Sequence, residues 1–296
     1  MKSIRIITAA LKGVASHPLN RNRKLRAVAE YGFVQVAARL MPGNVTVPFP
    51  NGTQLLINPR MKGAAHFIAP RLNEFEEMSF VMHFLRPGDR FADVGANIGA
   101  FTVLAAGVTG ASVCSFEASP DTYKQLCCNV RLNNLQEKVR AVNAAAGRTK
   151  GTISFSSGLG TENCVSAGTG NNSVTVPMTT LDQELSDSPP ALMKMDVEGY
   201  ETEVFGGATA LLRNPALRAM IVERGGSGNR YGFDEAALHR EIRSCGFIPC
   251  TYDPFVRTLT RVADEQCGNI IYVRDLAASN ALLKTAKPFR LDDLEV

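Results

Sequence analysis

No two of the seven cysteines in this sequence form a Cys-x-x-Cys pair, which removes the usual signature of a zinc or dithiol redox site. Cys127 and Cys128 are adjacent and cannot easily bridge each other. A chain of 296 residues buries enough core to need no disulfide or metal staple, so reduced thiols in a cytoplasmic setting are expected. No apolar run reaches 18 residues, the least a membrane-crossing helix requires. The first apolar run, residues 6–11, stops at Lys12 and is too short for a signal-peptide core. Internal repeats and long low-complexity tracts are also lacking, so a repeat architecture is excluded.

Acidic residues are scarce at the start. Residues 1–50 hold eight Lys or Arg against Glu30, a local charge of +7, so the remainder carries −3 of the net +4. A basic leading segment suits an anionic surface: a membrane, a nucleic acid or an anionic substrate. Residues 1–44 are read as a basic, partly helical extension with scope for peripheral membrane contact, and 45–296 as the main domain. Within the extension, Leu25, Val28, Ala29, Phe33, Val36, Ala37 and Leu40 recur at helical spacing.

What is present is alternation. Two short strand patterns flank Pro50-Asn51-Gly52, a hairpin signal, and residues 73–85 read as a helix capped by Asn73. From residue 90 onward, strand patterns (90–94, 111–116, 139–143, 191–197, 217–223) alternate with helical ones, including Pro120–Leu132 and 200–212. This predicts an α/β domain whose mostly parallel sheet is covered by helices on both faces. In such sheets ligands bind beyond the carboxyl ends of the strands, near the point where strand order reverses. The residues there are Asp93, Glu117, Asn143, Asp196 with Glu198, and Glu223.

Asp93-Val94-Gly95-Ala96-Asn97-Ile98-Gly99 leaves one strand and opens a helix. The dinucleotide fingerprint G-x-G-x-x-G is absent here, and an acid ahead of the glycines sits poorly with a diphosphate. Gly95 is expected to let backbone approach a ligand closely and Gly99 to let the helix pack near its strand. Glu117 closes the next strand, where a carboxylate accepts both hydroxyls of a ribose. Strand, D-x-G-x-N-x-G, helix, strand, Glu together describe a site for S-adenosylmethionine. Asp93, Gly95, Asn97 and Gly99 would border its methionine end, Glu117 its ribose, and Asn143-Ala144 its adenine.

D-V-G-A-N-I-G-A-F-T, F-E-A-S-P and M-K-M-D-V-E-G-Y-E-T-E-V-F-G-G-A resemble the FkbM-type methyltransferases. The resemblance runs from about Asn44 to Glu223 and is most specific in the D-V-E-G-Y-E block. It departs at Ala118, where members often have proline. The resemblance implies a seven-stranded Rossmann-like class I methyltransferase fold and S-adenosylmethionine-dependent O-methylation of sugars, glycans or polyketide-type products.

Removing a hydroxyl proton calls for a base. Lys194, Asp196 and Glu198 alternate, so an extended segment would point them the same way. Asp196 is the first choice for base, Glu198 shares that role or caps the following helix, and Lys194 pairs with Asp196. Glu201 is read as a first-turn charge favoured by the helix dipole. Glu223, Glu74, His66 and Asn163 are assigned to substrate, Asn163 from the polar loop 157–172. Asp196, Glu198 and Glu223 offer the oxygen donors that Mg²⁺ takes, but they serve substrate hydroxyls equally well, and no resident metal is expected. His83, His239 and Cys250 are read as structural. Rivals are a nucleic-acid methyltransferase, suggested by the basic start and Pro249-Cys250, a non-catalytic cofactor-binding module, and a nicotinamide oxidoreductase, which the glycine spacing disfavours.

Overall fold

The computed structural model describes residues 11–40, 43–59, 67, 72–156, 165, 173–262, 268–291 and 294–296. Residues 11–16 are helical, and the turn Pro18–Asn20 leads to helix α1 (Lys24–Leu40). Strands β1 (Val45–Pro48) and β2 (Gln54–Ile57) form the expected antiparallel hairpin. Helix α2 (Phe75–Phe84) begins one residue later than predicted: Glu74, not Asn73, holds the cap position and makes no capping bond. Its carboxylate instead accepts from the Asn269 side chain at 3.0 Å.

Next come β3 (Arg90–Val94), the short α3 (Ala100–Val103) running into a wider turn at Leu104–Thr109, β4 (Ser112–Phe116), α4 (Pro120–Leu132) and β5 (Val139–Val142). Helix α4 starts where the sequence places it, with Pro120 in its first turn and Ser119 as cap. The β1–β2 hairpin is fastened to α4 by side-chain amides. Asn129, fully buried, accepts from Leu56 N–H and donates to the Ile98 carbonyl, so it ties the hairpin to the glycine turn.

Strands β6 (Ala145–Ala146), β7 (Gly151–Ser156) and β8 (Ser173–Thr179) make a separate small sheet. Then follow α5 (Leu181–Leu185), β9 (Leu192–Met195), α6 (Glu201–Gly206), α7 (Thr209–Arg213), β10 (Ala219–Arg224), α8 (Glu235–Ser244), β11 (Ile248–Asp253), β12 (Thr258–Arg261), β13 (Gly268–Val273) and α9 (Leu276–Lys284).

The main sheet has the order β12-β11-β13-β10-β9-β3-β4-β5. Strands β10, β9, β3, β4 and β5 run parallel, and β13 is antiparallel to both of its neighbours. Seven strands, β11 to β5, make the Rossmann-like sheet, and β12 adds an eighth at the edge by a hairpin. From β3 the chain winds outward through β4 and β5, then returns to the other side of β3 as β9. Strand order therefore reverses between β3 and β9, where a doubly wound sheet opens its crevice.

Alternate residues of each strand enter different cores. Phe91, Leu192 and Ile221 pack with α2 and α3 on one face, while Ala92, Val94, Met193, Met195 and Val222 pack with α6, α7 and α8 on the other. Continuing the alternation puts Asp93 and Lys194 on the α2 face, and the strand register makes them direct neighbours. Two charged residues thus occupy positions whose period marks them as core.

Candidate active site

Asp93 is almost fully buried. One oxygen accepts from the Thr102 hydroxyl at 2.7 Å, and Thr102 meets Ser115 at the same distance. Lys194 is buried too. Its Nζ lies 2.8 Å from Asp196 Oδ2 and 4.6 Å from the centre of the Phe101 ring. Burial by itself would push the Lys194 amine down, but Asp196, Glu74 and Asp93 outweigh it and hold the group above the ordinary lysine range. Burial pushes the carboxyls of Glu74 and Asp93 up, and Lys194 pulls both back. One ammonium therefore serves three carboxyls.

These groups line a cavity of about 140 Å³, with Asn97, Phe101 and Met78 among its walls. Ligand pockets commonly span roughly 300–1,000 Å³, so the cavity accepts one end of a ligand rather than a whole one. Glu117 and Asn143 stand outside it at the next strand tips. Asn269, Phe101 and Met78 were not singled out from the sequence. Their only signal is placement by strands and helices remote in the chain.

Gly95 and Gly99 both adopt left-handed backbone, with φ of 80° and 86°. The space a side chain would take at Gly95 holds protein, not a ligand: a Cβ there would come 1.8 Å from the Asp196 carbonyl oxygen. Gly95 lines the cavity, as backbone expected to approach a ligand should, but the place of its missing side chain is taken by the tip of β9. Its absent side chain lets the tips of β3 and β9 meet. At Gly99 a Cβ would meet Leu126 of α4 at 2.4 Å, so the close packing is with a neighbouring helix rather than with the strand.

Asn97, with φ of 53°, gives its N–H to Glu117 Oε2 at 2.9 Å, and its own side-chain oxygen accepts the Ile98 N–H. Glu117 Oε1 accepts from Ser119 N–H at 2.8 Å, across the backbone where Ala118 replaces the family proline. Burial pushes the Glu117 carboxyl up to about 7, against the pull of these two bonds. Asn143 donates its side-chain amide to the carbonyls of Glu117 and Ala118, latching β5 to the end of β4, and Ala144 is buried beside it.

The acidic block is not one extended segment. β9 ends at Met195, and Glu198 takes φ of 56°. This breaks the alternation predicted for 194, 196 and 198, and only Lys194 and Asp196 line the cavity. Glu198 instead acts on Glu223 at the tip of β10. There burial, then Asp196, Glu198 and Glu201 as like charges, push the Glu223 carboxyl up to about 8. Glu198 does not cap α6. Tyr200 holds the cap position with no side-chain capping bond, and Glu201 stands in the first turn as predicted, buried and accepting the N–H groups of Val197 and Gly199 at 3.2 Å. His66 and Asn163 lie outside the described residues. Among the described residues no three His, Cys, Asp or Glu side chains converge as metal ligands.

His83 is buried against the Tyr252 hydroxyl at 2.7 Å, and His239 contacts the Tyr272 hydroxyl. Cys250 is buried in β11, three strands from β9, with its thiol pushed up by burial to about 11. A nucleophilic cysteine needs access and a lowered pKa, so Pro249-Cys250 is not the nucleophile pair of a cytosine-modifying enzyme.

A Rossmann-like sheet with a glycine turn after β3, a carboxylate after β4 and an acidic block after β9 defines the class I methyltransferases. The methyltransferase FkbM domain matches residues 93–249, more than half the sequence, and the chain belongs to that family. Among solved structures it is similar to the FkbM methyltransferase of Methylobacillus flagellatus, at 15% identity over 84% of this chain, with a TM-score of 0.45. The chain spans only 60% of that protein's length. It is also similar to the Pyrococcus abyssi tRNA (uracil-54, C5)-methyltransferase in complex with S-adenosyl-L-homocysteine, at 9% identity, 78% and 43% coverage and a TM-score of 0.43. The Geobacter metallireducens precorrin-6y C5,15-methyltransferase matches at 12% identity, 68% and 89% coverage and a TM-score of 0.40. No curated relative matches the chain.

Proposed function

We propose that this chain is an S-adenosylmethionine-dependent O-methyltransferase whose acceptor is a hydroxyl of a sugar, glycan or related natural product. The observation that carries the reading is the charge of the cavity, where Glu74, Asp93 and Asp196 face the single ammonium of Lys194. Like-charged buried carboxyls call for a cation, and a ligand with a sulfonium and an ammonium supplies it. Bound there, S-adenosylmethionine would provide an electrophilic methyl group.

Glu74 and Asp93 would hold the cationic end. Glu117 would receive the ribose hydroxyls, since each of its oxygens accepts one N–H and keeps further acceptor capacity. Asn97 and Ala144 would border the same ligand. Asp196 is half-buried, and Lys194 fixes one of its oxygens. It is the group best placed to orient the acceptor hydroxyl and take its proton. Burial and the neighbouring acids push the Glu223 carboxyl up to about 8, so it would donate a hydrogen bond to an acceptor oxygen, with Glu198 beside it.

Calorimetry with S-adenosylhomocysteine tests the cofactor, and absence of binding overturns the reading. Methyl transfer to a panel of free and lipid-linked sugars tests the acceptor. Asp196→Asn should still bind S-adenosylhomocysteine, through Glu74 and Asp93, and lose about 10²–10⁴-fold in turnover. Full activity in that variant removes Asp196 from the role.

A further inference from the structure

Six large apolar side chains are exposed among the described residues, and five of them fall in two segments: Leu25, Phe33 and Val36 of α1, and Phe255 and Val256 of the β11–β12 turn. Leu25 is 89% and Phe33 73% exposed. On α1 these residues follow i, i+8, i+11 spacing with exposed Ala29 between them, so they form one outward stripe. The opposite side of the helix is already used, for Ala27 and Tyr31 pack with Val14. At the other segment, Asp253 accepts the N–H groups of Phe255 and Val256 and holds the turn.

The second segment meets the turn that leads into α1. The Arg21 guanidinium lies 5.7 Å from the centre of the Phe255 ring, and Phe255 meets Phe75 at 5.4 Å. Phe75 in turn follows Glu74, which lines the cavity. The patch therefore borders the candidate active site. Lys12, Arg21, Lys24 and Arg26, close to it in the chain, are exposed, and of these Arg26 pairs with Glu30 at 2.9 Å. No helix among the described residues is long and apolar enough to cross a membrane.

We infer that α1 and the β11–β12 turn together dock the protein onto an anionic phospholipid surface. An apolar stripe flanked by Lys and Arg is the composition of a helix lying in the membrane interface, and basic side chains near anionic lipid each add attraction. RNA suits the patch less well, because Leu25, Val36 and Val256 offer nothing on which a base can stack. Surface docking would bring a lipid-borne acceptor to the cavity. That consequence rests on the proposed activity, whereas the docking itself does not.

The sequence contains no tryptophan, so Phe33→Trp and Phe255→Trp each install a sole reporter. With the full chain, vesicles of phosphatidylcholine and phosphatidylglycerol should pull the protein down in sedimentation at least about tenfold better than phosphatidylcholine alone, and salt should weaken the effect. Both tryptophan probes should shift their emission to the blue on adding anionic vesicles. The combined Leu25→Ser, Phe33→Ser and Phe255→Ser variant should lose at least about tenfold in vesicle binding, and because Phe255 also meets Phe75, the Leu25→Ser, Phe33→Ser pair serves as the variant that weakens binding while keeping its melting temperature. Lys12→Gln and Lys24→Gln should each weaken binding about fivefold. The inference is overturned if the unaltered protein stays in the supernatant or the probes stay unshifted. A dimer that the combined variant abolishes without any vesicle binding overturns it in favour of a second copy. Salt-sensitive RNA binding that exceeds vesicle binding overturns it in favour of nucleic acid. A chain that docks on vesicles but fails to bind S-adenosylhomocysteine leaves this inference standing and removes only the proposed activity.

Discussion

Gly95→Ala puts a methyl group where the Asp196 carbonyl stands, at 1.8 Å, on backbone with φ of 80°. The left-handed conformation alone costs about 1–2 kcal/mol in a residue with a Cβ. The clash is with backbone and can be relieved only by parting β3 from β9. Urea unfolding should show a loss of roughly 3 kcal/mol or more. Gly99→Ala carries the same conformational cost, but its contact is the end of the Leu126 side chain, which can turn away, so the loss should be smaller. Equal losses would contradict the assignment of Gly95 to the strand junction. Lys194→Met removes the cation serving buried Asp93 and half-buried Glu74 and Asp196 and should cost about 3 kcal/mol, toward the lower end for a broken buried pair. At this scale the sequence picks out Asp93, Gly95, Lys194 and Asp196, which the structure brings to one cavity, because each lies in or just after a recognisable strand. It does not reveal that β9 fills the space beside Gly95, nor that Glu201 is buried and ties down Val197 and Gly199. Both depend on which strand tip lies alongside, and that is settled by sheet order.

The elements were legible where local chemistry decides them. Helix α4 is bounded by Ser119 and Pro120, and the β1–β2 hairpin by Pro50-Asn51-Gly52. They were not legible where tertiary contact decides. Residues 200–212 have the apolar spacing of one helix, yet the structure breaks them into α6 and α7 at Gly206-Gly207. A Cβ on Gly207 would meet the Gly147 carbonyl oxygen at 2.0 Å, so the break admits the backbone that follows β6. The atoms nearest a Cβ on Gly206 belong to the guanidinium of Arg148, which is paired with Glu203 and half in solvent. Gly207→Ala should therefore destabilise the fold by about 2 kcal/mol or more. Gly206→Ala should stay within about 1 kcal/mol of neutral, since alanine's gain in helix propensity offsets a weakened surface ion pair. Thermal melts of the two variants check the order, and a reversed order would refute this account of the break. The eighth strand escaped the sequence reading for a similar reason, as β12 is held by pairing with β11 and by the Asn280 side chain of α9.

Across the whole molecule, buried titratable groups set how stability varies with pH. Glu77, Glu117 and Glu223 are pushed up by burial to about 7, 7 and 8 from an ordinary 4.5. His83 and His239 are pushed down by burial to about 4 from 6.5. A carboxyl whose folded pKa is raised keeps its proton in the fold after the unfolded chain has released it. Its contribution is complete below about 4.5 and is lost as pH rises through the folded value. A buried neutral histidine acts oppositely, since its contribution is present above about 6.5 and lost as pH falls toward 4. Below about 6.5 the two sets oppose each other. Between about 6.5 and 8 the histidines are neutral in both states and drop out, so the carboxyls act without opposition from them and stability should fall. Urea unfolding of the ligand-free protein at the two ends of that window measures the fall, and Glu223→Gln, which has no proton to lose, should reduce it. Equal stability at both ends, or a slope untouched by Glu223→Gln, would show that the acidic tip of β10 does not hold its proton in the fold. The role given to Glu223 as a hydrogen-bond donor to the acceptor would then fall with it.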